Sequence, residues 1–299
     1  YQLNDLYGSA GYTFGTPTSG FNVTEGFGEV SVPVIEGMPF AEELSLNGGY
    51  RYSSYSSSGA VSSYKYGAEW QPIDDLRFRA GFQRAVRAPN VLELFTPVTG
   101  QLDLTTAPCA KFGNANPTTG AAQPLTAAQV AGCERTGATL AQLTGGPGGL
   151  STIQDCPATQ CKYLVGGNTN LKPEVSDSRT LGIVLTPTFL DGFTATVDYY
   201  DIKIDKAITS ISPITSMNEC VSGNNVAYCG YIHRDANGAI FTDNGYVVAP
   251  LLNSGYLRTK GVDVEANYQA EMSDWGMGDN GSLAFNLVGT YTKNYTVEQ

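Results

Sequence analysis

Hydrophobic and polar residues alternate with a period of two along most of the chain. In Leu44-Ser45-Leu46-Asn47-Gly48-Gly49-Tyr50-Arg51-Tyr52 the large apolar and aromatic residues fall on even positions. In Tyr64-Lys65-Tyr66-Gly67-Ala68-Glu69-Trp70-Gln71 one face is Tyr, Tyr, Ala, Trp and the other Lys, Gly, Glu, Gln. The pattern recurs in Leu76–Gln83, Leu181–Thr186, Phe193–Tyr200, Thr259–Tyr268 and Leu283–Thr292, and more weakly in Asn22–Val34. Successive side chains of a strand point to opposite faces, so each segment predicts a β-strand with one apolar and one polar face. Eight strands result, each of about ten residues, the length that crosses a bilayer when tilted.

The connections sharpen this reading. At one end they are short: Glu36–Glu43, Pro72–Asp75, Pro187–Gly192 and Ala270–Gly281. The other end carries Ser54–Ala60 and then two loops, 89–175 and 205–256, far longer than those of a compact soluble domain. A transmembrane barrel has this asymmetry, with short turns on the periplasmic side and long loops outside. A soluble β-sandwich, the competing architecture, would show shorter strands with turns roughly every 8–12 residues. Mid-strand charges (Lys65, Glu69, Arg77, Arg79, Asp198, Asp263, Glu265) sit on the polar face. Two exceptions, Arg84 and Lys260, fall on the apolar face near the long-loop end. There they would meet lipid phosphates, or stand as rim residues without a partner. The fold expected is all-β: an antiparallel transmembrane β-barrel wall of about eight strands with long extracellular loops.

Composition fits. Only 15% of the 299 residues are charged, against ~25% in a typical soluble domain, and 18 are Tyr. No apolar run is long enough for a transmembrane helix. Seventeen basic against 28 acidic residues argue against a nucleic-acid partner. A single His leaves no His-rich metal centre, and no cofactor motif is found. Gly145-Gly146-Pro147-Gly148-Gly149 lacks the Lys-Ser/Thr ending of a phosphate loop. His233, with Asp235 and Asp243 nearby, invites an enzymatic reading. However, Tyr231–Phe241 reads first as a β-hairpin turning at Asn237-Gly238, and no Gly-x-Ser-x-Gly motif exists. Asp235-Ala236-Asn237-Gly238 echoes a calcium loop without its later Glu. No enzyme and no metal site are expected.

All six cysteines lie in the two long loops: Cys109, Cys133, Cys156 and Cys161 in the first, Cys220 and Cys229 in the second. An even count in exposed loops predicts disulfides and an oxidising compartment. Within-loop pairing makes Cys220–Cys229 obligatory and leaves three pairings in the first loop; short closures favour Cys156–Cys161 with Cys109–Cys133. Thr126-Ala127-Ala128-Gln129 has capping-box form and predicts a short helix.

Four segments carry a family resemblance. Arg84-Ala85-Val86-Arg87-Ala88-Pro89-Asn90-Val91-Leu92-Glu93-Leu94-Phe95 resembles the Arg-Ala-Pro turn and Glu-Leu-Phe of TonB-dependent outer-membrane receptors. Gly167-Asn168-Thr169-Asn170-Leu171-Lys172-Pro173-Glu174 resembles the segment that re-enters their barrel after a long loop. Val197–Ile208 and Thr259–Glu265 resemble two later strands, and the four run in the family's order over about residues 22–293. The resemblance implies a barrel of about 22 strands blocked by an N-terminal plug. A scarce nutrient (siderophore, cobalamin, sugar or peptide) binds outside and is imported with energy from the TonB complex. The expected localisation is the bacterial outer membrane; the partners are its lipid and lipopolysaccharide, the plug, TonB and the nutrient. A passive porin or surface adhesin without energy coupling is the alternative. Neither end of the chain reads as a natural terminus, since Tyr1 opens no signal peptide. Residues 1–299 are therefore expected to be an internal piece of the barrel, without plug or C-terminal strands. Candidate ligand-binding residues are Arg79 and Arg87 on the lumen face, and the loop aromatics Tyr163, Tyr228, Tyr231 and Tyr246. Arg51, Arg77, Gln83, Asp198, Asp263 and Glu265 would also face the lumen. Tyr52, Tyr64, Trp70 and Tyr268 are candidate girdle residues.

Overall fold

The computed structural model describes residues 19–104, 107–276, 278 and 281–298. The expectation drawn from Tyr1 lies outside them. In chain order the elements are β1 (Val23–Met38), β2 (Ala41–Tyr55), β3 (Gly59–Ile73) and β4 (Leu76–Arg87). Then come α1 (Val91–Phe95), β5 (Thr99–Leu104), α2 (Ala127–Glu134), α3 (Leu140–Thr144) and β6 (Gln160–Val165). They continue as β7 (Glu174–Leu185), β8 (Phe193–Asp205), β9 (Ile208–Ser210), α4 (Pro213–Val221), β10 (Ile232–His233), β11 (Tyr246–Val248) and β12 (Leu251–Asn253). The chain ends with β13 (Tyr256–Glu271) and β14 (Ser282–Glu298). Two compact units divide the chain: a wall, 21–89, 172–208 and 253–299, and a loop unit whose described part is chiefly 90–171 and 209–252.

The wall is one eight-stranded antiparallel sheet in the order β1-β2-β3-β4-β7-β8-β13-β14. Each strand pairs with the next wall strand in sequence; two-residue links such as Pro39–Phe40 and Asp74–Asp75 close two of the hairpins, while the long loops join β4 to β7 and β8 to β13. The sheet is unclosed: among the described residues nothing pairs with the outer edge of β1 or β14. Its strands run from 12 to 17 residues, longer than the sequence periodicity defines.

Register explains both faces. One row across the sheet holds Trp70, Phe78, Ile183, Val197 and Val264; the next holds Ala68, Ala80, Leu181, Tyr199 and Val262. Many of these side chains are exposed: Leu181 is 60% exposed and Trp70 43%. So large a contiguous apolar face on a water-soluble monomer would be anomalous. Trp70 stacks on Phe78 at 5.4 Å and Tyr66 on Phe82 at 5.2 Å, while the Trp70 indole N–H donates to Phe40 O at 3.1 Å.

The apolar face changes character within one row towards the long-loop end. There the row Phe82, Arg179, Asp201, Lys260 is followed by Arg84, Asp177, Lys203, Arg258. Charge on this face is therefore not confined to Arg84 and Lys260, and neither of the two lacks a partner. Arg84 forks onto Asp177 with two bonds of 2.7 Å, and Lys260 reaches Asp201 at 3.2 Å. Periodicity stopped too early because it tracks apolar residues, and these strand ends alternate charge with polarity.

The loop unit folds around its own core. A second sheet, ordered β10-β11-β6-β5, contains one parallel pair, β11 with β6. Buried residues from both long loops meet in it, among them Leu143, Ile153, Met217, Ile240 and Val247. Each such side chain contributes roughly 1.5–3 kcal/mol on burial. The helix expected at Thr126 forms, its Thr126 and Gln129 making both bonds of the capping box. The hairpin expected at Asn237-Gly238 does not. Asp235 instead accepts bonds from the backbone N–H groups of Asn237 and Ala239, closing a local turn, and β10 pairs with β11 beyond it.

Candidate functional site

On the polar face of the wall, Arg79 donates to both carboxylate oxygens of Asp198, at 2.8 and 2.6 Å. The pair reaches from β4 to β8 over Gly182 of β7. A Cβ at Gly182 would lie 2.1 Å from Asp198 Oδ1 and 2.7 Å from Arg79 Nε, so only glycine leaves this passage open. Lys65 reaches Glu29 at 3.1 Å across Gly49 in the same way. Arg79, Asp198, Tyr200, Asp263 and Glu265 line one concavity. A second holds Phe27, Arg51, Lys65 and Gln83, with the Arg51 guanidinium 5.2 Å from the exposed Phe27 ring. Periodicity does not single out Phe27, which sits where an alternating strand would place a polar residue.

The four resembling segments explain one another structurally. Arg87 and Glu174, at the two ends of the first long loop, face each other in register and bond at 2.6 Å. Glu174 also accepts the Ile208 N–H at 2.6 Å. Asn253 receives the Lys172 N–H and donates back to Lys172 O, both at 2.7 Å, which ties down the returning strand. Arg258, just before the fourth segment, forks onto Asp201 of the third at 2.9 and 2.7 Å. Gly261 admits the Tyr200 ring, since a Cβ there would lie 2.4 Å from its hydroxyl. In the loop unit, Asn90 and Glu93 form a capping box that starts α1. Gly167, whose Cβ would lie 2.6 Å from Leu94 C, lets the two loop ends lie against each other.

All six cysteines pair within their loops: Cys109–Cys133, Cys156–Cys161 and Cys220–Cys229. Hydrogen bonds then join the first loop to the second. Arg135 donates to Cys220 O at 2.9 Å and Gln142 to Ala236 O at 3.0 Å. Arg234 donates to Thr136 Oγ1 at 2.6 Å and Gly238 O at 2.8 Å. These acceptors are neutral, and burial lowers the Arg234 guanidinium to about 10.

The candidate aromatics fall into two groups. Tyr228 and Tyr231 meet edge to face at 6.3 Å, with Tyr228 against the core. Tyr246 lies tilted against His233, ring centroids 4.8 Å apart, the two being register partners of β10 and β11. Tyr163 packs on the core side of β6 and donates to Gln101 at 2.7 Å, so it does not share a face with Tyr246. Lys162, the residue before Tyr163 on β6, reaches Asp243 at 2.8 Å, and this bond holds the Asp243 carboxyl below its ordinary range. His233 and Tyr246 therefore share one sheet face, a pairing that sequence reading missed although it named both residues, because short strands of two or three residues carry no periodicity. Among the described residues no cluster of ligating side chains with metal-binding geometry occurs.

Comparison with known proteins adds family to geometry. The family model "TonB dependent receptor-like, beta-barrel" matches residues 1–299. A search of curated proteins finds no match. Among solved structures, the siderophore receptor PirA from Acinetobacter baumannii is similar, with 15% identity and a TM-score of 0.53 over 92% of this chain and 28% of its own. A mutant of the ferric enterobactin receptor PfeA from Pseudomonas aeruginosa gives 18% identity and 0.51 over 91% and 27%. Another PfeA mutant, solved in complex with enterobactin, gives 16% and 0.50 over 91% and 27%. This chain thus spans about a quarter of the length of the structures it resembles. With an unclosed antiparallel wall and a family model that runs from end to end, the chain belongs to the TonB-dependent receptor-like β-barrel family.

Proposed function

We propose that the chain is part of the barrel of an outer-membrane active transport receptor, which captures a scarce nutrient outside the cell and imports it with TonB-coupled energy. The observation that carries this reading is a membrane-length wall whose two longest connections, from the same end, fold into one disulfide-bonded unit. A pore needs no such unit; a receptor needs a stable surface on which to hold its ligand. A plug domain, the strands that close the barrel and the TonB complex are the protein partners in this reading, and lipopolysaccharide the lipid one. The nutrient would meet the loop unit first, at Tyr231, Tyr246 and His233, with Tyr228 and Tyr163 bracing that surface. Arg79 and Arg87 would then border the lumen, where their bonds to Asp198 and Glu174 fix them as wall supports that ligand or plug could recruit.

Uptake by the full-length receptor is the test, and a ferric siderophore is the first nutrient to try because the similar structures are siderophore receptors. Cells expressing the receptor should accumulate the labelled nutrient against its gradient, and deletion of TonB should abolish accumulation. Uptake that persists without TonB, and only equilibrates, would establish the porin alternative. An unchanged uptake range across ferric chelates, cobalamin, sugars and peptides would remove the transport reading.

A further inference from the structure

The backbone ladders of the wall stop together where the two long loops leave it. Arg87 and Glu174 are the last register pair of β4 and β7, and Asp205 is the last residue of β8 to pair with β7 or β13. Beyond this row two side chains take over from the ladders. The Glu174 carboxylate, 13% exposed, accepts from Arg87 Nε and from the Ile208 N–H, both at 2.6 Å. The Asn253 amide accepts the Lys172 N–H at 2.7 Å and donates to Lys172 O at 2.7 Å and Lys206 O at 2.9 Å. These bonds touch all four points at which a long loop leaves or rejoins the wall. Arg87 is the exit of the first loop and Lys172–Glu174 its return; Lys206–Ile208 is the exit of the second and Asn253 its return.

Within each loop, backbone closes the root: the Asn168 N–H bonds Glu93 O at 2.8 Å in the first, and β9 pairs with β12 in the second. At the rim, the bonds from one root to the other run through the side chains of Glu174 and Asn253. Asn253 treats Lys172 as a neighbouring strand would, taking its N–H and giving one back to its carbonyl. The remaining amide hydrogen holds the carbonyl of Lys206, whose backbone is left-handed at φ 57°. One acceptor and two donors on a single short side chain are the property of Asn; an Asp here would set a carboxylate oxygen against two carbonyls. We infer that Glu174 and Asn253 are positioning residues that couple the roots of the two long loops, so that neither loosens at the wall unless the other does. In the capture function proposed above, a nutrient held by one loop thereby steadies both. The coupling itself needs no transport, and a receptor that fails to import leaves it standing.

The test is amide hydrogen exchange of the full-length receptor in detergent micelles, disulfides intact, with each variant read on the loop to which its side chain does not belong. Asn253→Asp keeps the volume and removes both donors. It should speed exchange about tenfold at 86–88, the exit of the first loop. Glu174→Ala should do the same at 252–254, the return of the second. Helices α2 and α4 should keep the wild-type rate in both variants. The double variant should be no faster at either reporter than the faster single variant, because one coupled opening is already released. Acceleration confined to the loop that carries the substitution would overturn the coupling, since each side chain would then hold only its own strand. Multiplied rates in the double variant, or equal acceleration of α2 and α4, would also overturn it. If Glu174→Ala does not fold to a heat-modifiable barrel, Glu174→Gln decides. It keeps an acceptor for Ile208 and loses the charge facing Arg87. A smaller acceleration at 252–254 is expected, and an unchanged rate there contradicts the assignment.

Discussion

Replacing Cys109 and Cys133 together with serine is expected to destabilise the loop unit by about 3 kcal/mol. The corresponding change at Cys156 and Cys161 should cost only about 2 kcal/mol, and that at Cys220 and Cys229 should fall between. The order follows from the sequence separations of 24, 5 and 9 residues, because a cross-link removes more freedom from the unfolded chain when the loop it closes is longer. The first substitution also reaches furthest into the core, since Cys109 and Cys133 are wholly buried and touch the cluster that holds Met217 and Cys220 of the other loop. Thermal or denaturant unfolding of the three paired variants, monitored within the full receptor by protease access to the loops, reads the ranking. A smaller effect at Cys109–Cys133 than at Cys156–Cys161 would mean that the loop unit is held by the second sheet and not by its staples.

The second large effect belongs to a glycine. Gly132→Val is expected to cost several kcal/mol, on the order of 3 or more, and to loosen both long loops at once. A Cβ at Gly132 would lie 2.2 Å from Val221 O and 2.7 Å from Val221 Cα, so α2 and α4 approach there through backbone and cannot shift aside locally. Overpacking at such a point forces the helices apart. The bond from Arg135 to Cys220 O and the burial of Met217 would then be lost together. Amide hydrogen exchange should accelerate in 213–221 as well as in 127–134. Acceleration confined to α2 would show that the two loops fold independently.

The wall was legible in the sequence because a half-buried strand writes its environment at every second residue. Leu181, Val197, Val262 and Leu287 are readable as one face from alternation alone. The same device fails where a face changes chemistry along its length. Arg179, Asp201, Lys203 and Arg258 continue the pleat of the apolar face but look like loop residues to any count of hydrophobicity. Disulfide pairing was readable from short closures, since all six cysteines fall in two loops. The architecture of the loop unit was not, because its strands are short, one pair is parallel, and its core joins residues far apart in the chain such as Cys133 and Cys220. The candidate tyrosines show the same limit. Composition marked Tyr163 and Tyr246 alike, and only register separates Tyr163, which faces the core, from Tyr246, which faces outward beside His233.

A receptor wall requires one sheet face to meet lipid and the other to meet the lumen. Nitroxide labels placed singly along 180–184 and 262–266 of the full-length receptor in bilayers, with the native disulfides intact, test that assignment most directly. Collision with dissolved oxygen, which concentrates in the hydrocarbon, should be high at Leu181, Ile183, Val262, Val264 and Ala266, and low at Thr180, Val184, Asp263 and Glu265. A period of two with this phase is the expected result. The opposite phase, or uniform accessibility along both strands, would contradict the transmembrane wall itself.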